Sequence, residues 1–219
     1  MNVHSRLKET TRAMLTVRPT LPAAESRSTE ILHSVRTAFS EKGFDGASMQ
    51  DLARAAGMSV GNFYRYFPSK TAIVAALIEL DLAGMEADFQ EIVLAPRPFD
   101  ALRALVRRRI PDHQACGDGK LWSEITAAAQ RKPEIGAVAC AMEEAVIGYL
   151  TRVFAAETGL SPQECARRFA AHAAFIIVLF KSAALLNARQ PELVGPMTEM
   201  IFATIDRTLD DIAGARTKA

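Results

Sequence analysis

Apolar residues recur along most of this chain at helical spacing, every three or four positions. The first clear stripe consists of Ile31, Leu32, Val35, Ala38 and Phe39. It predicts a helix from about Ser28 to Lys42, which Gly43 would end. No stretch shows the strict apolar–polar alternation that is typical of a half-buried strand. The pattern therefore predicts an all-α protein.

Two short helices are predicted next. Ser48 and Asp51 form an S-x-x-D start signal close to a capping box, and Gly57 permits a sharp turn. Ser59 then caps a third helix that runs to about Tyr66. Two short helices joined by a tight turn form a helix-turn-helix, in which the second helix enters the major groove of DNA.

The rest of the chain reads as longer helices with short breaks. Helices are predicted from Ser69, over Phe99 to Ile110 with Pro111 as a stop, over Leu121 to Arg131, over Glu134 to about Glu157, from Ser161 to about Arg189, and from Pro191 onward, with a loop around Cys116 to Gly119. We expect three parts: an N-terminal arm at 1–24, a helix-turn-helix domain at 25–70 and a helical body at 71–219.

The predicted arm lacks sustained periodicity and carries Arg6, Lys8, Arg12 and Arg18. It is either a flexible solvated tail or a basic arm that follows a groove of DNA. Met14 is a second possible start, so the sequence leaves open whether 1–13 belong to the native chain.

Charge is divided unevenly along the chain. Residues 1–70 hold 10 Lys and Arg against 6 Asp and Glu, whereas residues 71–219 hold 16 against 19. Between Leu52 and Ile78 there is no Asp or Glu at all. Because a carboxylate that faces phosphate costs affinity, this basic run favours a polyanionic partner.

Composition excludes several classes of protein. The most apolar run, from Ala173 to Phe180, is eight residues long and too short to span a bilayer, and no secretory signal precedes the first helix. The three cysteines form no CxxC, which favours a reducing cytoplasm and neither disulfides nor a metal. His113 and Cys116 are too few for a metal site, and the sequence leaves any redox role of Cys116 open. We expect no cofactor.

The chemistry of the third helix suits DNA. Asn62 can form hydrogen bonds with an adenine edge, and Arg65 with guanine or phosphate. Val60 can contact a thymine methyl group. Gly61 would let the backbone approach closely, and Ser59 caps the helix. Ser48, Tyr64, Tyr66 and Lys70 suit phosphate contacts, which set the register on the duplex. The alternative is an ordinary solvated helix surface, with Phe63 and Phe67 in the core.

The stretch from Thr29 to Leu80 closely resembles the tetracycline-repressor (TetR) family of bacterial transcription regulators. The matching residues are Ile31, Leu32, Ala38, Phe39, Glu41, Gly43, Phe44, Leu52, Ala53, Ala56, Gly57, Met58, Ser59, Gly61, Tyr64, Phe67, Ser69, Lys70 and Ile73. Ser48 stands where the family often has Thr, and Met58 where Val is commoner. The resemblance implies a homodimer with a three-helix DNA-binding head and a larger ligand-sensing body. By position it assigns phosphate contacts to Ser48, Tyr64, Tyr66 and Lys70, and base contacts to Val60, Gly61, Asn62 and Arg65.

Two sets of body residues are candidates for further sites. A ligand pocket between helices is predicted to be lined by Met85, Phe89, Trp122, Met142 and Phe154, each of which could instead be a core residue. The last two helices are predicted to form the dimer interface through Phe169, Ala173, Ile176, Phe180, Met197, Ile201 and Ile205.

The sequence therefore predicts a ligand-responsive, cytoplasmic, DNA-binding regulator that represses a palindromic operator until an unknown small-molecule effector releases it. An enzyme is the first alternative, but no nucleophile elbow, phosphate loop, dinucleotide motif or zinc-protease motif occurs. A helical scaffold that binds DNA without sequence preference is the second. Activation in place of repression stays open.

Overall fold

The structure, a computed structural model, describes residues 23–116, 118–186 and 191–215. Within these ranges the chain forms nine helices and no strand. They are α1 (Ala23–Lys42), α2 (Met49–Ala55), α3 (Val60–Tyr66), α4 (Lys70–Leu94), α5 (Pro98–Cys116), α6 (Asp118–Arg131), α7 (Pro133–Thr158), α8 (Pro162–Ala184) and α9 (Pro191–Gly214). The predicted all-α class is confirmed. None of the described helices combines the length and apolarity that crossing a bilayer requires.

Three predicted helix boundaries are wrong, in addition to the predicted stop at Pro111. Helix α1 begins at Ala23 rather than Ser28, so the last two residues of the predicted arm are helical, and the rest of the arm lies outside the described residues. Helix α6 begins at Asp118, so most of the predicted loop before Leu121 is helical. Helix α8 ends at Ala184, five residues before the predicted end.

Helix α5 continues through Pro111, where the sequence predicted a stop. Proline removes a backbone donor and normally breaks a helix interior. Tertiary contacts hold the helix on both sides of this position. Ile110 is fully buried, and Gln114 donates hydrogen bonds to the carbonyl of Ala183 at 2.9 Å and to the hydroxyl of Thr198 at 3.2 Å.

The buried apolar residues form two cores. The first core joins α1, α2, α3 and the start of α4 to α6 and α7, through head residues such as Phe39, Leu52 and Phe63. From the body it includes Leu121, Ile125, Ala128 and Ile135. The head is therefore packed directly on the body.

The second core lies in the body. It joins the end of α4 to α5, α7, α8 and α9, with Phe99, Phe154 and Phe169 near its centre. The rings of Phe99 and Phe169 meet the ring of Phe154 edge-on, at centroid distances of 5.9 and 6.4 Å. Ion pairs join α5 to α9 at the rim, where Arg107 contacts Asp206 at 2.6 Å and holds the pKa of that carboxyl below its ordinary value.

Replacing Phe154 with Ala tests this arrangement. The ring is fully buried, so its loss is expected to lower the free energy of unfolding by about 3–5 kcal/mol. Urea unfolding followed by circular dichroism measures the change. Leu94→Ala is the control, because Leu94 is 84% exposed and its loss should cost less than about 0.5 kcal/mol. A similarly small loss of unfolding free energy in both variants would show that Phe154 is not buried in the second core.

Candidate nucleic-acid interface

Helix α2 begins with the predicted capping box. The Ser48 hydroxyl accepts a hydrogen bond from the amide of Asp51 at 3.1 Å, and the Asp51 carboxylate accepts one from the amide of Ser48 at 3.0 Å. Lys42, the last residue of α1, donates to the same carboxylate at 2.6 Å. These bonds from Lys42 and Ser48 hold the pKa of Asp51 well below its ordinary value. The start of α2 is thereby tied to the end of α1.

Helix α3 follows a tight turn and also begins with a side-chain cap. Gly57 has a φ of +64°, in the left-handed region that favours glycine. The Ser59 hydroxyl accepts a hydrogen bond from the amide of Asn62 at 3.3 Å. Phe63 and Phe67 point into the first core with their ring centroids 5.7 Å apart, as predicted. The opposite side of α3 is therefore free to face a partner.

The predicted DNA-facing residues lie on that outer side of the head. Tyr64 and Tyr66 are 47% and 41% exposed, although large aromatic side chains normally bury more of their surface. The other exposed members are Ser48, Ser59, Gly61, Asn62 and Arg65, whereas Val60 is half-buried and packs against the first core. These residues lie at the starts of α2 and α3 and along α3. That they contact DNA stays a prediction.

Gly61 has no explanation inside the chain. A Cβ atom at this position would meet nothing within 4 Å. Packing within the subunit therefore does not require glycine at this position of α3, although glycine is a weaker helix former than alanine. Close approach of the backbone to a partner would require it.

Lys70 has contacts that the sequence did not reveal. Its ammonium group donates to the carbonyl of Phe44 at 2.7 Å and to that of Asp45 at 3.3 Å, and it lies 4.9 Å from the centre of the Phe44 ring. The turn between α1 and α2 thus fixes its position. A phosphate would have to share Lys70 with these carbonyls.

The acidic side chain that directly precedes the acid-free run is paired with cations. The carboxylate of Asp51, just before the acid-free run, pairs with Lys42 and lies 3.6 Å from Arg54. The side chain of Arg54 is itself 71% exposed. Within the described ranges, no group of three His, Cys, Asp or Glu side chains is placed to hold a metal ion. The surface is suited to an anion rather than a cation.

The predicted pocket residues divide between the two cores. Trp122 and Met142 are half-buried against the first core, whereas Met85, Phe89 and Phe154 belong to the second. A depression between α4 and α5 contains none of the five. It is lined by Asp88, Glu91, Ile92, Ala101, Ala104, Leu105 and Arg108. A pocket that all five residues line together stays a prediction without structural support.

The predicted dimer residues require a correction. Phe169, Ala173, Ile176 and Ile205 are buried in the second core of their own chain, so they are not available as contact residues. Phe180 and Ile201 are half-buried against that core, and only Met197 is well exposed. The sequence assigned the interface to the inner side of α8 because this helix is apolar on nearly every side.

Other apolar side chains are exposed on the last two helices, and we call this set the outer apolar face. It consists of Phe175, Val178 and Leu185 on and just after α8, and of Leu193, Met197 and Met200 on α9. Spacings of three, four and seven residues place each set on one side of its helix. The same spacing is present in the sequence, but the neighbouring core residues are also apolar, so the exposed set could not be distinguished from them.

Comparison with known proteins identifies the head most clearly. The family model described as "Bacterial regulatory proteins, tetR family" matches residues 31–77. The HTH-type transcriptional regulator UidR of Escherichia coli K12 is 32% identical over 115 residues, which cover 52% of this chain and 58% of UidR. The regulator EthR of Mycolicibacterium smegmatis is 35% identical over 86 residues, or 39% of each chain. This chain thus spans little more than half the length of the first of these relatives.

The fold of the whole chain matches solved structures as well. Salmonella enterica GusR aligns with a TM-score of 0.68 over 87% of this chain and 98% of its own, at 22% sequence identity. At that identity the likeness shows the fold alone. The body therefore shares its architecture with this structure.

The pKa of Asp51 gives a pH-dependent test of the capping box. A lowered folded-state pKa adds stability above the unfolded value of about 3.9, and that stability is lost as the pH falls through the folded value. Asp51→Asn should therefore unfold at a lower urea concentration than the parent at neutral pH. The difference between the two urea midpoints should become smaller near about pH 3. Asp112→Asn, exposed on α5, is the control and should show little gap at either pH. A gap that is equal at both pH values would contradict the proposed role of the carboxylate.

Proposed function

We propose that this chain is a member of the tetR family of bacterial regulatory proteins and a DNA-binding transcriptional regulator. In this proposal it is a cytoplasmic repressor of a palindromic operator, and a small-molecule effector releases it from that operator. The observation that carries the proposal is the outer side of α3. It is exposed, free of acidic residues and anchored from behind by Phe63 and Phe67. A surface of this kind suits the major groove, where both shape and charge favour a basic helix.

In this proposal the exposed residues have two roles. Asn62, Arg65, Val60 and the open backbone at Gly61 approach base edges, which determine sequence preference. Tyr64, Tyr66, Ser48 and Lys70 contact phosphates, which fix the orientation of the head. Ser59 holds the first turn of α3 in place.

The outer apolar face supports a homodimer. Val178 is 55% and Met200 69% exposed, and α8 packs against α9. In this proposal the two sets together form one two-helix contact surface. A second copy related by a two-fold axis would cover this surface with the same residues and form a four-helix contact. Two heads related by that axis would read two half-sites of opposite direction, which is a palindrome.

The effector is proposed to bind in the body. A small molecule that binds more tightly to one arrangement of the two heads shifts the population toward it, and operator affinity falls by the difference in binding free energy, typically about 1–3 kcal/mol. Thermal-shift screening of small molecules tests for such a ligand, because a compound that binds the native state raises the melting temperature.

The DNA-binding proposal predicts different effects for Asn62→Ala and Tyr64→Phe. Selection from a pool of randomised duplexes should give a palindrome with the parent chain. Asn62→Ala should lose about 1–3 kcal/mol on that site and relax the preference at one position of each half-site. Tyr64→Phe should weaken binding to all duplex sequences by a similar factor, because a phosphate contact carries no sequence information. Fluorescence anisotropy over a range of salt concentrations measures both effects.

Gln90→Ala, exposed on α4, is the matched amide control and should bind like the parent. Failure of the parent to select any site would overturn the proposal. Salt-dependent binding without sequence preference would favour the architectural alternative. A reporter gene downstream of the selected site separates repression from activation.

The dimer proposal predicts that Val178→Glu and Met200→Glu each shift the protein to monomer. A charged side chain in a self-complementary apolar contact appears twice at the two-fold axis and cannot be solvated there. Sedimentation equilibrium measures the mass, and footprinting should then show one protected half-site. Leu94→Glu, at an exposed position on α4, should stay dimeric. A parent chain that is monomeric at micromolar concentration would contradict the proposal.

A further inference from the structure

The turn between α1 and α2, residues 43–46, is held by charged groups of the body. We call it the head turn. The carboxylate of Glu124, on α6, accepts a hydrogen bond from the amide of Phe44 at 3.1 Å. One residue further on, the carboxylate of Asp45 accepts a hydrogen bond from Arg131 at 2.8 Å and lies 3.4 Å from the ammonium group of Lys132. Arg131 and Lys132 hold the pKa of Asp45 below its ordinary value. The body thus contributes one carboxylate and two cationic side chains to contacts with the same short turn.

The Phe44 residue connects Glu124 to the candidate DNA-binding surface. Its amide donates to Glu124, and its carbonyl accepts the 2.7 Å hydrogen bond from Lys70. Linked hydrogen bonds of this kind polarise and position one another. The Phe44 ring is buried in the first core and stacks on the Phe39 ring at a centroid distance of 5.7 Å, so the residue is also anchored within the head. Phe44 therefore contacts both Glu124 of the body and Lys70 of the candidate DNA-binding surface.

The close fit around Gly43 supports the same link. Gly43 has a φ of +75°, and a Cβ atom there would lie 2.8 Å from a carboxylate oxygen of Glu124. The carboxylate is thus seated directly against the backbone of the head turn. The positive φ favours glycine at this position. The Glu124 carboxylate would have to shift to admit a side chain there.

From these contacts we propose that Glu124 is a positioning residue for DNA binding. Its carboxylate fixes the Phe44 peptide and, through that peptide, the Lys70 ammonium group beside the phosphate-contacting surface. The Asp45 pair with Arg131 is a second attachment of the same turn to the body. The inference rests on the proposed function, since it assigns a consequence for operator affinity to a residue that does not touch DNA.

Amide hydrogen exchange tests the contact without DNA. Glu124→Ala removes the acceptor, so the segment that contains Phe44 should exchange about tenfold faster. Glu124→Gln keeps an acceptor oxygen and should restore most of the protection. Glu86→Ala, which removes an exposed carboxylate on α4, is the matched control and should leave the head turn unchanged. Exchange that is the same in Glu124→Ala as in the parent would overturn the inference.

A double-mutant cycle on the selected duplex tests the consequence. Glu124→Ala should weaken operator binding by about twofold to thirtyfold, the range for residues that act on a site without touching its ligand. Glu124→Gln should recover most of the loss. In a Lys70→Met background, Glu124→Ala should cause little further loss, because its effect passes through Lys70. Circular dichroism and the melting temperature show that each variant is folded.

The outcomes separate this inference from the proposed function. If the parent binds its duplex and Glu124→Ala binds equally well, the positioning role is wrong while the proposed function stands. Full additivity of Glu124→Ala and Lys70→Met would also overturn it, because a general loss of stability predicts independent effects. If the parent chain selects no duplex, both the proposed function and the positioning role of Glu124 are wrong.

Discussion

Burial of the inner side of α6 against the head is the constraint on which the rest of this structure depends. Leu121, Ile125 and Ala128 belong to the same core as Phe39, Leu52 and Phe63. A three-helix unit of about fifty residues buries too small a fraction of its surface to be strongly stable alone. By sharing its core with α6 and α7, the head gains apolar burial that its own helices cannot supply. The same packing brings Glu124 and Arg131 to the head turn.

The candidate nucleic-acid interface depends on this packing from behind. Helix α3 has seven residues, and an isolated helix of that length is unstable in water. It forms because Ser59 caps its first turn, Gly57 permits the preceding turn, and Phe63 and Phe67 bury its inner side. With stability supplied from the inner side, the outer side can retain glycine and exposed tyrosines that a free-standing helix would not favour. The residues available for recognition are those that stability does not require.

The body shows the same division between burial and recognition, but on different elements. Helix α8 buries Phe169, Ala173 and Ile176 and leaves Phe175 and Val178 outside. Both sets are apolar, so hydrophobicity alone does not say which set faces the core and which faces a second copy. Charged residues on α5 also have a role that their chemistry alone does not reveal. Arg103 and Arg107 reach Asp206 on α9 at 3.2 and 2.6 Å, and so join two helices whose charges look solvated in the sequence.

The sequence by itself determined the helical class, the capped helix-turn-helix, the orientation of Phe63 and Phe67, and the acid-free outer side of α3. These features depend on residues close together in the chain, because capping, turn formation and helical spacing are local effects. Only the tertiary structure decided that α5 passes through Pro111, that α8 turns Ile176 inward, that the predicted pocket residues divide between two cores, and that Glu124 meets the head turn. Each of those outcomes depends on contacts between distant residues, for which local spacing carries no signal.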